Sequence, residues 1–192
     1  MKKLMFMLGI AAMAFGVQAA SFNWGTDAKA WGLPSSSLAS GLAAGTTYNV
    51  GTGNADTMSN QLTSYNATWA YALTFSYDDG TTVTTDTLTG SLTSGSFSSR
   101  KVNLDLSSDL VVAGRNLTYS LVFTGTVKDG QNATWDVTSN EITGSWHVND
   151  MGDISIQTAA PSSWSTAGVP EPTSGILMLV GLGALALRRR RA

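Results

Sequence analysis

Asn66-Ala67-Thr68-Trp69-Ala70-Tyr71-Ala72-Leu73-Thr74-Phe75-Ser76-Tyr77-Asp78-Asp79-Gly80 alternates with a period of two. Ala67, Trp69, Tyr71, Leu73, Phe75 and Tyr77 fall on one face. Thr68, Thr74, Ser76 and two alanines fall on the other. A pleated strand puts successive side chains on opposite faces, so this is a strand with one face in a core and one in water. Asp78-Asp79-Gly80 then signals a tight hairpin. Thr81 to Leu92 returns as a second strand, and its apolar phase slips between Val83 and Leu88, which predicts a bulge.

The pattern recurs downstream. Leu117, Tyr119, Leu121, Phe123 and Val127 share a face, Lys128-Asp129-Gly130-Gln131 signals a turn, and Ala133, Trp135 and Val137 return. Tyr71-Ala72-Leu73-Thr74-Phe75 matches Tyr119-Ser120-Leu121-Val122-Phe123. Leu88-Thr89-Gly90-Ser91-Leu92 matches Ile142-Thr143-Gly144-Ser145-Trp146. A duplicated hairpin and a chance likeness between hairpins of similar composition both fit. Further strands are expected at Thr47 to Val50, Val102 to Leu106, Leu110 to Val112, Ile142 to Val148 and Ile154 to Thr158. Two turns of helix fit Asn54 to Tyr65, and Gly95 to Ser99 reads as a loop. About seven or eight short strands with frequent turns predict an all-β body, an antiparallel β-sandwich of jelly-roll-like or immunoglobulin-like topology.

Both ends of the chain lie outside that body. Met1-Lys2-Lys3 is a positive leader, Leu4 to Val17 is apolar, and Val17-Gln18-Ala19 fits the small-x-small rule. Residues 1–19 therefore read as a secretory signal peptide, cut after Ala19 (or Ala20) by signal peptidase after Sec export. Residues 20–158 form the body and 159–168 a linker. The tail, 169–192, holds Pro170-Glu171-Pro172, then an uncharged apolar segment, Thr173 to Leu187, then Arg188, Arg189, Arg190 and Arg191. As a helix that segment spans roughly 22 Å, short of the ~30 Å hydrocarbon core. Arginines that reach up to the headgroups extend it into a short transmembrane helix with the basic end in the cytoplasm.

This tail resembles the PEP-CTERM sorting signal of Gram-negative bacteria that make exopolysaccharide. The resemblance covers Val169 to Ala192. It implies that an exosortase, a membrane protease-transpeptidase, recognises Pro170, Glu171 and Pro172 and removes the helix and Arg188 to Arg191. The protein would then be anchored transiently in the inner membrane before reaching the cell surface, outer membrane or extracellular matrix.

Composition narrows the function classes. The chain carries 11 basic and 13 acidic residues. Without Lys2, Lys3 and Arg188 to Arg191, 5 basic residues face 13 acidic ones, a net of −8, against −4 after signal cleavage alone. Such a body disfavours nucleic acid and anionic membrane, and it is compatible with divalent cations and with neutral polysaccharide. Cysteine is absent, which removes disulfides, thiol catalysis and thiolate metal sites. The one histidine, His147, has no evident catalytic partner in the sequence, and no hydrolase, zincin or nucleotide-binding motif occurs. The expectation is a non-enzymatic protein with no cofactor. Its role would be structural or adhesive and associated with exopolysaccharide; the alternative is a carbohydrate-binding β-sandwich module.

A few residues stand out as candidate contacts. Trp24, Trp31 and Trp164 lie in loop-like segments and are the candidates for stacking on sugar rings, whereas Trp69 and Trp135 belong on core faces. Asp150 and Asp153, around Gly152, are a weak Ca²⁺ candidate without the spacing of a calcium-binding helix–loop–helix. Thr85, Thr87 and Thr89 read as the solvent face of one strand; ice-binding surfaces repeat such a ladder over many. Asn66, Asn116 and Asn132 open N-x-Thr sequons.

Overall fold

The computed structural model of the chain describes residues 19–23, 31–99, 101–106, 110–148, 154–157 and 160–167. Ten strands lie among them: β1 (Ala19–Asn23), β2 (Thr47–Asn49), β3 (Thr68–Asp78), β4 (Val83–Leu92), β5 (Lys101–Asp105), β6 (Asn116–Lys128), β7 (Thr134–Ser139), β8 (Ile142–His147), β9 (Ile154–Gln157) and β10 (Ser163–Thr166). Three short helices accompany them, α1 (Ser35–Ser40), α2 (Met58–Ser64) and α3 (Ser94–Ser99), with a 3₁₀ turn at Asn54–Asp56. No helix among the described residues is long and apolar enough to cross a membrane. The expected signal segment before Ala19, the box at 170–172, the helix over 173–187 and the arginines at 188–191 fall outside the described residues, as do Trp24, Asp150 and Asp153.

The main sheet has seven strands in the order β2-β10-β7-β6-β3-β4, with β8 also on β6. Every pairing in it is antiparallel. The alternation read in the sequence is its cause. Trp69, Tyr71, Leu73 and Phe75 of β3 are buried, and so are Leu117, Leu121, Phe123 and Val127 of β6. A second sheet, β5-β1-β9, contains one parallel pair, β1 with β9. The chain is thus mostly antiparallel β.

The cover over the inner face of the main sheet departs from a two-sheet stack. Much of it comes from the segment before β3. Trp31, Leu33, Leu38, Leu42 and Met58 join the same core. Trp31 lies 6.0 Å from Phe123 between ring centres, and the Met58 carbonyl accepts the Trp69 indole N–H at 2.9 Å.

Four local expectations need correction. The bulge expected in β4 is absent: the β3–β4 register runs unbroken from Trp69↔Leu92 to Asp78↔Val83. The apolar phase slips in the sequence because Thr84 and Asp86 occupy inward positions near the hairpin, while Val83 points out and is 59% exposed. Gly95 to Ser99 is not a loop but lies within α3. Leu110 to Val112 forms no strand, although Leu110 is fully buried. The expected linker contains β10, a sheet strand between β2 and β7. The body therefore extends through Thr166.

A bulge does occur elsewhere. β8 pairs Leu121↔Ile142 while β7 pairs Thr124↔Thr138. Val122 and Phe123 therefore face three residues, Ser139 to Glu141, and one is extra. The Ser139 hydroxyl fills the gap in the ladder by accepting the Phe123 N–H at 3.0 Å. Asn140, turned out of line, docks β10: its side-chain oxygen accepts the N–H groups of Ser162 and Ser163 at 2.7 and 3.0 Å.

The matching segments are related in space, β3 with β4 and β6 with β8. Their registers superpose about the Leu73↔Leu121 pair, since Tyr71 faces Phe123 and Phe75 faces Tyr119. Tyr71 lies opposite Gly90 and Tyr119 opposite Gly144. In both, a Cβ on the glycine would stand within 2.7 Å of the tyrosine ring. An aromatic ring laid over a cross-strand glycine is the same packing solution used twice. The internal likeness therefore extends from the residues to their pairing, about a local pseudo-two-fold axis through β3 and β6.

Candidate functional site

The outward face of the main sheet is where the body meets its surroundings. Strand pairing assembles outward hydroxyls into rows. One row is Thr87, Thr74, Ser120 and Thr143, across β4, β3, β6 and β8; the next is Thr85, Ser76, Thr118 and Ser145. A third spans six strands, with hydroxyls at Ser91, Thr124, Thr138, Ser165 and Thr47 and Ala70 filling the β3 position. Neighbouring strands lie about 4.8 Å apart and successive rows about 6.7 Å. Some rotors are locked across strands: Thr74 and Thr87 share a hydrogen bond at 2.9 Å, and Thr68 and Thr126 one at 2.7 Å. The single-strand threonine repeat visible in the sequence is thus one column of a two-dimensional array.

Where β3, β6 and β8 meet, the face is indented. An open depression of about 500 Å³ is lined by Ser76, Thr118, Tyr119, Ser120, Thr143, Gly144 and Ser145. At one end the Glu141 carboxylate accepts the Ser120 hydroxyl at 2.5 Å. At the other, His147 Nδ1 and Asn116 Oδ1 are 2.7 Å apart. Six residue steps of extended chain separate Glu141 from His147, roughly 20 Å. That is too far for the two to share a proton on one reacting bond.

The aromatic candidates are elsewhere. Trp31 is 3% exposed and Trp164 fully buried. The expectation that they offer ring faces to a sugar is corrected. Trp164 packs on Trp69 with ring centres 4.9 Å apart, and its indole N–H is accepted by the Trp31 carbonyl at 2.8 Å. Both rings are cross-braces of the core. Their segments look loop-like because β10, which holds Trp164, is four residues long, because Trp31 lies in no strand or helix, and because the partners lie far away in the chain. Trp135 and Trp146 also lie on the inner face and pack partly against the core.

Two buried carboxylates were not singled out by the sequence. Asp129 is 5% exposed and Asp56 8%. Asp129 Oδ1 accepts the backbone N–H of Gln131 and Ala133, at 3.0 and 2.9 Å. Its Oδ2 accepts the Leu42 N–H at 3.1 Å and the Trp135 indole N–H at 2.7 Å. Asp56 accepts the N–H groups of Ser35 and Gly53 at 2.6 and 2.7 Å. Burial pushes both pKa values up, but the N–H donors outweigh it and hold both below the ordinary aspartate range. Saturated by donors, they act as staples. Among the described residues, no group of three or more His, Cys, Asp or Glu residues is placed to hold a metal ion. Asn66, Asn116 and Asn132 are all exposed, and Asn66 and Asn132, in connections between elements, have positive φ, +45° and +65°.

Residues 168–191 match the PEP-CTERM protein-sorting motif. The motif is the mark of an exported protein handed to an exosortase at the membrane. No curated protein and no solved structure matches the chain.

Proposed function

We propose that this is a non-enzymatic surface or matrix protein, exported in an unfolded state, held briefly by its tail, and deployed outside the cell in association with exopolysaccharide. The observation that carries the reading is the sorting motif at 168–191. It sits directly behind a body whose last strand ends at Thr166. The outward face supports it: it is rich in hydroxyls, and its one histidine and Glu141 are engaged with Asn116 and Ser120. Fractionation with mass mapping of the C-terminus, in cells with and without exosortase, tests the processing step. The expected mature chain lacks Arg188 to Arg191 only when the exosortase is present. Protein with those arginines intact in exosortase-positive cells would sink the claim.

A further inference from the structure

We propose that the depression on the outward face, between β3, β6 and β8, is a binding groove for a segment of neutral polysaccharide chain. This rests on the matrix reading above and gives it a site. The groove has volume for a short run of sugar units, about 500 Å³, and it is open to solvent. Its lining is hydroxylic, and the hydroxyls divide into two kinds. Ser120 commits its proton to Glu141 and Thr118 commits its own to the Ser76 carbonyl at 3.4 Å. Their lone pairs are left as acceptors. Thr143 and Ser145 are both exposed; their backbones pair with β6, and their side-chain hydroxyls make no hydrogen bond among the described residues. Each can turn to donate or accept. An array of fixed acceptors beside free rotors suits a ligand whose own groups are hydroxyls, each both donor and acceptor.

Charge points the same way. No lysine or arginine lines the groove, and its flanking charged group is the Glu141 carboxylate. A phosphorylated or sulfated chain would meet no counter-charge there, whereas a neutral chain pays no such penalty. The indentation also separates this reading from adsorption to a crystal plane such as ice. A hydroxyl array on a sheet that turns by roughly 20–25° per strand matches a flat lattice over few strands. A groove follows a single chain. The aromatic residue of the lining, Tyr119, is half-buried with its ring laid over Gly144 rather than offered as a stacking platform, so binding of one chain segment is weak and strength comes from many copies on one polymer.

The test is native affinity electrophoresis of the purified full-length protein in gels containing dextran, hydroxyethylcellulose or galactomannan. Retardation in at least one gel is expected. It should fall at least tenfold in apparent affinity for Thr143→Arg and Ser145→Arg, which fill the groove, and more modestly for Thr143→Ala with Ser145→Ala, which only removes hydroxyls. Thr47→Arg, on the same face but outside the groove, should leave retardation unchanged. Each variant is accepted only with a wild-type thermal transition; if the arginines disturb folding, the alanine pair decides. Absence of retardation in all three gels, equal retardation of the groove variants, or partition into ice without retardation would each overturn the proposal. Correct C-terminal processing alongside any of these would leave the sorting reading standing.

Discussion

Replacing Asp129 with alanine should cost a large part of the body's stability. The carboxylate accepts four N–H groups, two from its own hairpin turn, one from Leu42 and one from the Trp135 indole. After truncation, water can reach Gln131 and Ala133 on the turn. The Leu42 N–H is buried and Trp135 is half-buried, so their donors lose their acceptor inside the protein. A stranded buried donor costs about 1–3 kcal/mol, and hydrogen bonds to a charged group contribute about 1.5–3 kcal/mol each. The expected loss is ~3–5 kcal/mol, against a typical total of 5–15 kcal/mol. Asp129→Asn should recover less than half of it. Its remaining oxygen can serve the turn, but its amide presents hydrogens to the donors of Leu42 and Trp135. Urea denaturation followed by tryptophan fluorescence and far-UV circular dichroism at about pH 7 reads both. The pH dependence gives a second handle. Asp129 is held below its ordinary value of 3.8, so its contribution is complete above that value and disappears as pH falls through the lower folded one. Asp56 is shifted in the same direction. Wild type and Asp129→Ala should therefore converge in stability on acidification. A loss below ~1 kcal/mol near neutrality, or a gap that widens in acid, would refute the reasoning.

Four other outcomes are expected. Gly90→Ala and Gly144→Ala should each destabilise by about 1–3 kcal/mol, through overpacking against Tyr71 and Tyr119; the two losses should be similar, and a neutral result at either would refute the ring-over-glycine packing. Trp164→Ala should cost ~3–5 kcal/mol. Truncation before Ser162 should unfold the body, while a stop after Ala167 should leave its thermal transition unchanged. In the first hairpin, the Asp79 carboxylate accepts the Thr81 hydroxyl and the backbone N–H groups of Thr82 and Thr81, so NMR titration should find its pKa pulled down to about 2; a value near 4 would remove those bonds.

What could be read from the sequence follows from how far each interaction reaches along the chain. β3 and β6 were legible because one face of each meets the core and the other meets water, so burial is written as alternation. The Asp-Gly turns were legible because turn geometry is local. β10 was misread because four residues, Ser163 to Thr166, are too few to show a period, and Pro161 and the surrounding serines suggested an unstructured connector. Its identity comes from β2 and β7, and from Trp31 across the core. Asp129 passed for an ordinary turn residue because one of its donors, Leu42, lies 87 positions away. The hydroxyl face showed only as three threonines on one strand. Its second dimension exists only once β3, β4, β6 and β8 are in register.

The place of β10 has a mechanical consequence. Three residues, Ala167 to Val169, separate its end from Pro170, a reach of roughly 14 Å from Thr166 even when fully stretched. Whatever grips the sorting box therefore pulls almost directly on this strand. β10 is clamped by ladders on both sides, to β2 and to β7, and pinned by Trp164 beneath. A pull along its axis loads those hydrogen bonds side by side, in shear, rather than peeling them one at a time. The body thus meets tension at its point of attachment with an interior strand. A domain tethered through a frayed terminal segment would yield there first.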